Sequence, residues 1–137
     1  MKYHYILFIM LISMLFSTST YADNTTDSVK LITDEAEYEV ELEDNPTAKA
    51  FLDLLPLEVD MDDLNSNEKF VTLNTTLTSN PEKVNQINSG DLMLYGDDCI
   101  VVFYESFNTS YEYTRIGHVK NFKKPENDKV KVKFVKK

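Results

Sequence analysis

The spacing of apolar and polar positions changes period several times along the chain, and each change marks an element. Val29 to Thr33 and Tyr38 to Leu42 alternate; in "YEVEL", Tyr38, Val40 and Leu42 fall on one side and glutamates on the other. That is the two-residue period of a half-buried strand. The polar "DEAE" between the two runs reads as their turn. The period then becomes helical: Ala48, Phe51, Leu52 and Leu55 follow an i, i+3, i+4, i+7 spacing and form one apolar stripe. Asn45 is placed to cap this helix and Pro46 suits its first position. Pro56 forces Leu55 out of helical geometry and ends it. A helix of about nine residues is too short to stand alone, so it must plug or cover something.

Alternation returns at Leu57 to Met61 and at Lys69 to Leu73. The stretch from Asn74 to Ser89 is polar, carries Pro81, and reads as a loop or irregular edge. Asp91 to Tyr95 and Cys99 to Tyr104 are nearly continuous apolar runs, the pattern of strands covered on both faces. Gly96-Asp97-Asp98 joins them with residues that tolerate turn geometry. Ser110 to Val119 is a further strand, and "KVKVKF", Lys129 to Phe134, alternates without a break. The pattern predicts a mainly β chain of about eight short strands and one short helix. Turn signals between the strands point to a closed or nearly closed barrel.

The N-terminus changes the picture of where the chain works. Lys2 precedes an apolar run of 12 residues, Tyr5 to Phe16, followed by "STST" and then Thr20-Tyr21-Ala22. This is the layout of a secretory signal peptide, since crossing a bilayer takes about 20 apolar residues. Residues 1–22 are therefore expected to be removed, leaving one domain over residues 23–137 that works in a periplasmic or extracellular space, with no membrane span. Removing Lys2 leaves 13 Lys and Arg against 23 Asp and Glu, a charge of about −10. Such a chain repels nucleic acid. The charge is also unevenly placed: acids crowd Asp23 to Glu68, and eight lysines lie between His118 and Lys137. Two solvated faces that attract one another in the fold account for this, as would a basic tail docking on an acidic partner.

Charge and export decide how the chemistry-bearing stretches are read. Tyr95-Gly96-Asp97-Asp98 has the spelling in which many RNA polymerases carry metal-binding aspartates, yet a small exported acidic chain holds no polymerase. Here the aspartates serve the turn. Cys99 is the one cysteine, so no disulfide forms within the chain. The acids before it raise its thiol pKa, the wrong direction for a nucleophile. Asp60, Asp62, Asp63, Asn65, Asn67 and Glu68 are a dense run of oxygen ligands that resembles the start of a calcium loop. Glu68, however, stands where the sharp-turn glycine belongs, and a solvated loop is the better reading. With His118 the one histidine after the leader, no Ser-His-Asp, Cys-His or zinc arrangement is available. No cofactor and no metal are expected.

Three stretches carry a family resemblance: "NPTA" leading into "LLPL", then "SGDLMLYGDD", then "FY" and "SYEYTRIG". Taken together, from about Val29 to Val119, they closely resemble the bacterial cyclophilin-like domain family. The resemblance implies a closed eight-stranded β-barrel of the cyclophilin type with one short α-helix, and it implies no settled function. True cyclophilins isomerise Xaa-Pro bonds with an arginine beside a shallow apolar pocket. This chain has no tryptophan, its single arginine is Arg115, and the stretch that carries the arginine in true cyclophilins has no match in it. The expectation is a binding module for a small ligand or an extended peptide, without catalytic turnover. Its site is expected at Tyr104, Tyr111, Tyr113 and Arg115, where the arginine would clamp a carboxylate or carbonyl among aromatic rings. A structural ion pair is the other role open to Arg115. A degenerate prolyl isomerase and a surface interaction domain are the competing functions.

Overall fold

The alternating runs become the staves of a closed barrel. The computed structural model describes residues 28–137; the expected leader, residues 1–22, lies outside the described residues. The elements are β1 (Val29–Ile32), β2 (Glu37–Leu42), α1 (Pro46–Asp53), β3 (Leu57–Leu64), β4 (Glu68–Thr72), β5 (Glu82–Lys83), β6 (Gln86–Ile87), β7 (Asp91–Tyr95), β8 (Cys99–Phe103), β9 (Phe107–Asn108), β10 (Glu112–Val119) and β11 (Val130–Lys136). Eight of the strands are hydrogen-bonded in the order β2-β1-β11-β3-β4-β8-β7-β10, and a pairing of β10 with β2 closes the ring. Every pairing is antiparallel. Closure leaves these strands without a free edge.

Closure depends on Gly117. There β10 pairs with Leu92 of β7 on one side and Leu42 of β2 on the other, and its register with β7 shifts between Arg115 and Gly117. A Cβ at this position would run into the carbonyl of Glu41, so only glycine lets the last two staves approach.

The helix plugs the barrel as its stripe requires. Asn45 accepts a hydrogen bond from the Ala48 amide at 2.7 Å, and its own amide donates to the Arg115 carbonyl at 2.8 Å. One side chain thus caps α1 and ties it to β10. Ala48 and Phe51 are buried, and the Phe51 ring meets Phe134 edge to face at 5.1 Å. Leu52 and Leu55 are half-buried against the same core. Among the described residues no helix is long and apolar enough to cross a membrane.

Two cores result. Leu31, Met61, Leu92, Leu94, Ile100, Val102, Ile116 and Phe134 fill the interior. Met93, Val101, Phe103 and Tyr113 point outward and form a second cluster under Val84 and Ile87. The apolar runs of β7 and β8 are continuous because each strand faces both. The stretch from Asn74 to Ser89, expected as a loop, contributes the cover and contains the two-residue strands β5 and β6, which pair with β10 and β9. β3 also runs on to Leu64, past the expected end at Met61.

The uneven charge resolves into neighbouring strands. β11 lies between β1 and β3, and its lysines face acids: Lys131 to Glu58 and Lys129 to Asp62 at 3.7 Å each, and the C-terminal Lys137 to Glu39 at 3.5 Å. In the hairpin between β7 and β8, Gly96 adopts a φ of 62°. The carbonyls of Asp97 and Asp98 accept the amides of Leu77 and Leu73 at 2.7 Å each. The aspartates thus hold the loop that follows β4 through their backbone.

Candidate functional site

β4 opens with two ionisable residues in succession, and strand geometry sends them to opposite faces. Lys69 turns inward and is 1% exposed. Its ammonium donates to the carbonyls of Asn127 and Asp128 at 2.8 and 2.7 Å and sits 3.1 Å from the Asp63 carboxylate. The Tyr104 hydroxyl donates to the same carboxylate at 2.5 Å. Burial acts to raise the Asp63 pKa, but the Tyr104 and Lys69 contacts outweigh it and hold the group below its ordinary value. Burial, and then Asp63, push the Tyr104 hydroxyl up. This end of the barrel is a satisfied buried ion pair.

Glu68 turns outward and is nevertheless only 9% exposed. No hydrogen bond or cation reaches its carboxyl among the described residues. Burial, and then the neighbouring Asp63 charge, push its pKa up to about 7. No fully buried side-chain oxygen or nitrogen of the described residues lacks a partner, so the unpartnered Glu68 oxygens open to solvent. They open into a recess of about 270 Å³. It is lined by Asn65, Asn67, Glu68 and Tyr113 and by the chain from Phe107 to Tyr111. The turn before β4 is shaped by its sequence: Asn65 and Ser66 both take a φ of 54°, which asparagine tolerates better than most residues. The Asn67 carbonyl accepts the Tyr104 amide at 3.0 Å, fixing that turn to the end of β8.

Aromatic rings complete the site. Tyr113 packs against Phe103 and Tyr95 at 5.6 and 5.7 Å, Tyr95 against Tyr111 at 6.3 Å, and Phe103 against Phe107 at 5.7 Å. Tyr95 and Tyr111 remain largely exposed, and of the two Tyr111 lines the recess. Burial, followed by the Glu68 charge, pushes the Tyr113 hydroxyl up to about 12. Among the described residues no three His, Cys, Asp or Glu side chains come together as metal ligands. A second recess, about 390 Å³, lies beside the end of α1 and β3. Its acids, Glu58 and Asp60, are exposed.

A sequence profile of the Cyclophilin-like family matches residues 31–135. The chain belongs to that family. Its fold is also similar to the solution structure of the hypothetical protein AF2241 from Archaeoglobus fulgidus, with a TM-score of 0.57 at 19% identity over 81% of this chain and 95% of that one. No curated protein matches.

Within this cyclophilin-like barrel, the residues singled out from the sequence part company. Tyr111 and Tyr113 line the same recess. Tyr104 belongs to the interior cluster, with its hydroxyl on Asp63 and the Lys124 ammonium 5.5 Å from its ring. Arg115 shares the outward face of β10 with Tyr113, but its guanidinium lies 3.6 Å from Glu82 of β5 and does not line the recess. Sequence reasoning weighed Asn65, Asn67 and Glu68 only as calcium ligands and did not single out Phe107. Glu68 shares a strand face with Phe70, which packs against the outer cluster; that period-two placement was the available signal. Cys99 is half-buried on the same face, and its thiol is pushed up to about 11 by burial first and by Asp98 next.

Proposed function

We propose that this cyclophilin-like protein is an exported binding module that takes a small ligand, or one segment of an extended peptide, in the recess between β4, β9 and β10, without turning it over. The observation that carries the reading is a concave site walled by firm aromatic rings and side-chain amides, with one buried carboxyl that no protein group satisfies. Binding sites combine apolar walls with a few convergent polar groups in this way, and strongly perturbed ionisable groups concentrate in them. Tyr111 and Tyr113 carry the expected site into this proposal.

A residual prolyl isomerase is the second reading, favoured by Arg115 lying two residues from Tyr113 on one strand face. The Glu82 carboxylate beside its guanidinium argues against it, since easing rotation needs a donor free to reach the prolyl amide. A protease-coupled assay on proline peptides separates the two: the binding reading expects no acceleration, and acceleration lost in Arg115→Ala would replace it. Amide chemical-shift mapping with small aromatic amines tests the site itself. Shifts centred on Asn67, Tyr111 and Tyr113 support the recess, and shifts confined elsewhere on the barrel overturn it. Export is read from the mass of the protein recovered outside the cytoplasm, expected to lack residues 1–22.

A further inference from the structure

We propose that the recess selects ligands carrying a primary ammonium or guanidinium group, with the Glu68 carboxylate as the counter-charge and the exposed ring of Tyr111 as the aromatic surface beside it. This rests on the reading of the recess as a binding site and names the chemistry that the site takes.

Glu68 is the one carboxylate lining the recess, and no lysine, arginine or histidine lines it. The nearby bases are engaged elsewhere: Lys69 on Asp63 and two carbonyls through the sheet, and Arg115 on Glu82. An anionic ligand would meet Glu68 with Asp63 behind it and be repelled. A neutral ligand would leave the carboxylate desolvated and unpaired, the costly arrangement for a buried charge. A cation removes that cost and gains charge-assisted hydrogen bonds. The exposed Tyr111 ring favours the same sign of charge, because the ring quadrupole attracts cations. The side-chain carbonyls of Asn65, Asn67 and Asn108 are acceptors for the remaining N–H groups. At long range the chain's formal charge of −9 draws cations toward it. A recess of about 270 Å³ is smaller than the usual drug-sized pocket. It holds one amine head with a short apolar body, either a free small amine or one lysine or arginine side chain of an extended peptide.

Geometry also sets the pH dependence. The titratable groups near Glu68 are Asp63 from β3 through the sheet, Cys99 from β8, Tyr111 just before β10 and Tyr113 within it. Asp63 is held below its ordinary value, while Cys99 and Tyr113 are pushed up to about 11 and 12. Glu68, at about 7, is thus the carboxyl in this set that changes charge near neutrality. Cation binding stabilises its charged form and releases a proton, so affinity rises with pH through this range.

Calorimetric titration with benzylamine and with its neutral analogue benzyl alcohol, at pH 6 and pH 8, tests the proposal. Benzylamine is expected to bind about tenfold or more tighter than the alcohol at pH 8, and about tenfold weaker at pH 6 than at pH 8. Glu68→Gln, isosteric and uncharged, is expected to abolish both differences while amide spectra remain those of the folded protein. Tyr111→Ala removes one exposed wall and is expected to weaken benzylamine several-fold. Equal binding of amine and alcohol, with shifts at Tyr111 and Tyr113, would overturn the cation selectivity and leave the recess as a site. Absence of shifts at the recess with every probe would overturn the underlying reading as well. A capped Ala-Lys-Ala peptide compared with butylamine separates the two sources: tighter peptide binding assigns a peptide side chain, and tighter butylamine binding assigns a free amine.

Discussion

Glu68 and Lys69 are neighbours in sequence and almost equally buried, yet they live in different chemistry. Lys69 enters the barrel and finds a carboxylate and two carbonyls at hydrogen-bonding distance. Glu68 enters the outer aromatic cluster and finds only another negative charge, Asp63, nearby. Burial alone therefore does not mark a functional group; burial without a partner does. The interior pair is part of how the barrel end is sealed, and breaking it exposes an uncompensated charge. The outer carboxyl costs stability on its own, a cost that a ligand can remove.

The largest effects fall on the inner side of this contrast. Lys69→Ala leaves the half-buried Asp63 without its cation and opens a cavity where the buried lysine stem lay, and denaturant unfolding is expected to show a loss of about 3 kcal/mol. Phe51→Ala empties the plug against Phe134 and is expected to cost a similar amount, about 3–5 kcal/mol. A loss under about 1 kcal/mol for Lys69→Ala would erase the contrast, since typical surface substitutions cost no more.

On the outer side the sign reverses. Glu68 has a folded-state pKa raised from 4.5 to about 7, so between these values the folded state binds more protons than the unfolded one. Stability is then full below the unfolded value and is lost as pH rises through about 7. The full displacement would correspond to about 3 kcal/mol, and water in the recess reduces it. Glu68→Gln is therefore expected to gain about 1–2 kcal/mol at pH 8 and almost nothing at pH 4. Thermal or chemical unfolding at the two pH values reads this directly, and a destabilised Glu68→Gln at pH 8 would mean that the carboxylate has a partner.

Smaller effects sharpen the boundary. Phe107, half-buried over Phe103, is expected to cost about 1–2 kcal/mol on replacement by alanine, less than Phe51, because less apolar area leaves water there. Arg115→Ala removes a pair at 3.6 Å whose carboxylate side is 62% exposed, and a change under about 1 kcal/mol is expected. A much larger loss would make Arg115 a structural tether between β5 and β10.

Much of the inner architecture was legible because it follows from local periodicity. "YEVEL", "KVKVKF" and the helical stripe around Phe51 each state which face is buried, and Asn45 caps α1 as its position implies. The continuous apolar runs of β7 and β8 also signalled that both faces are covered. What covers the outer face was not legible, because β5 and β6 are two-residue strands whose side chains are mostly exposed. The site was harder still. Glu68 closes a stretch that reads as solvated and Lys69 opens the next expected strand; the burial of Glu68 arises only when the segment from Phe107 to Tyr111 folds beside it, and that of Lys69 when Asn127 and Asp128 close over the barrel end. Tyr111 and Tyr113 could be named from their spacing, whereas the carboxyl they enclose comes from a strand more than 40 residues earlier.

The claim on which the rest depends is that Glu68 is a buried carboxyl with no protein partner. Its ionisation can be followed through the side-chain carboxyl carbon by NMR across the pH range, in the ligand-free protein. The account predicts a midpoint near 7. A midpoint near the ordinary 4.5 would mean a carboxylate as fully hydrated as a surface glutamate, or a paired one, and would contradict it.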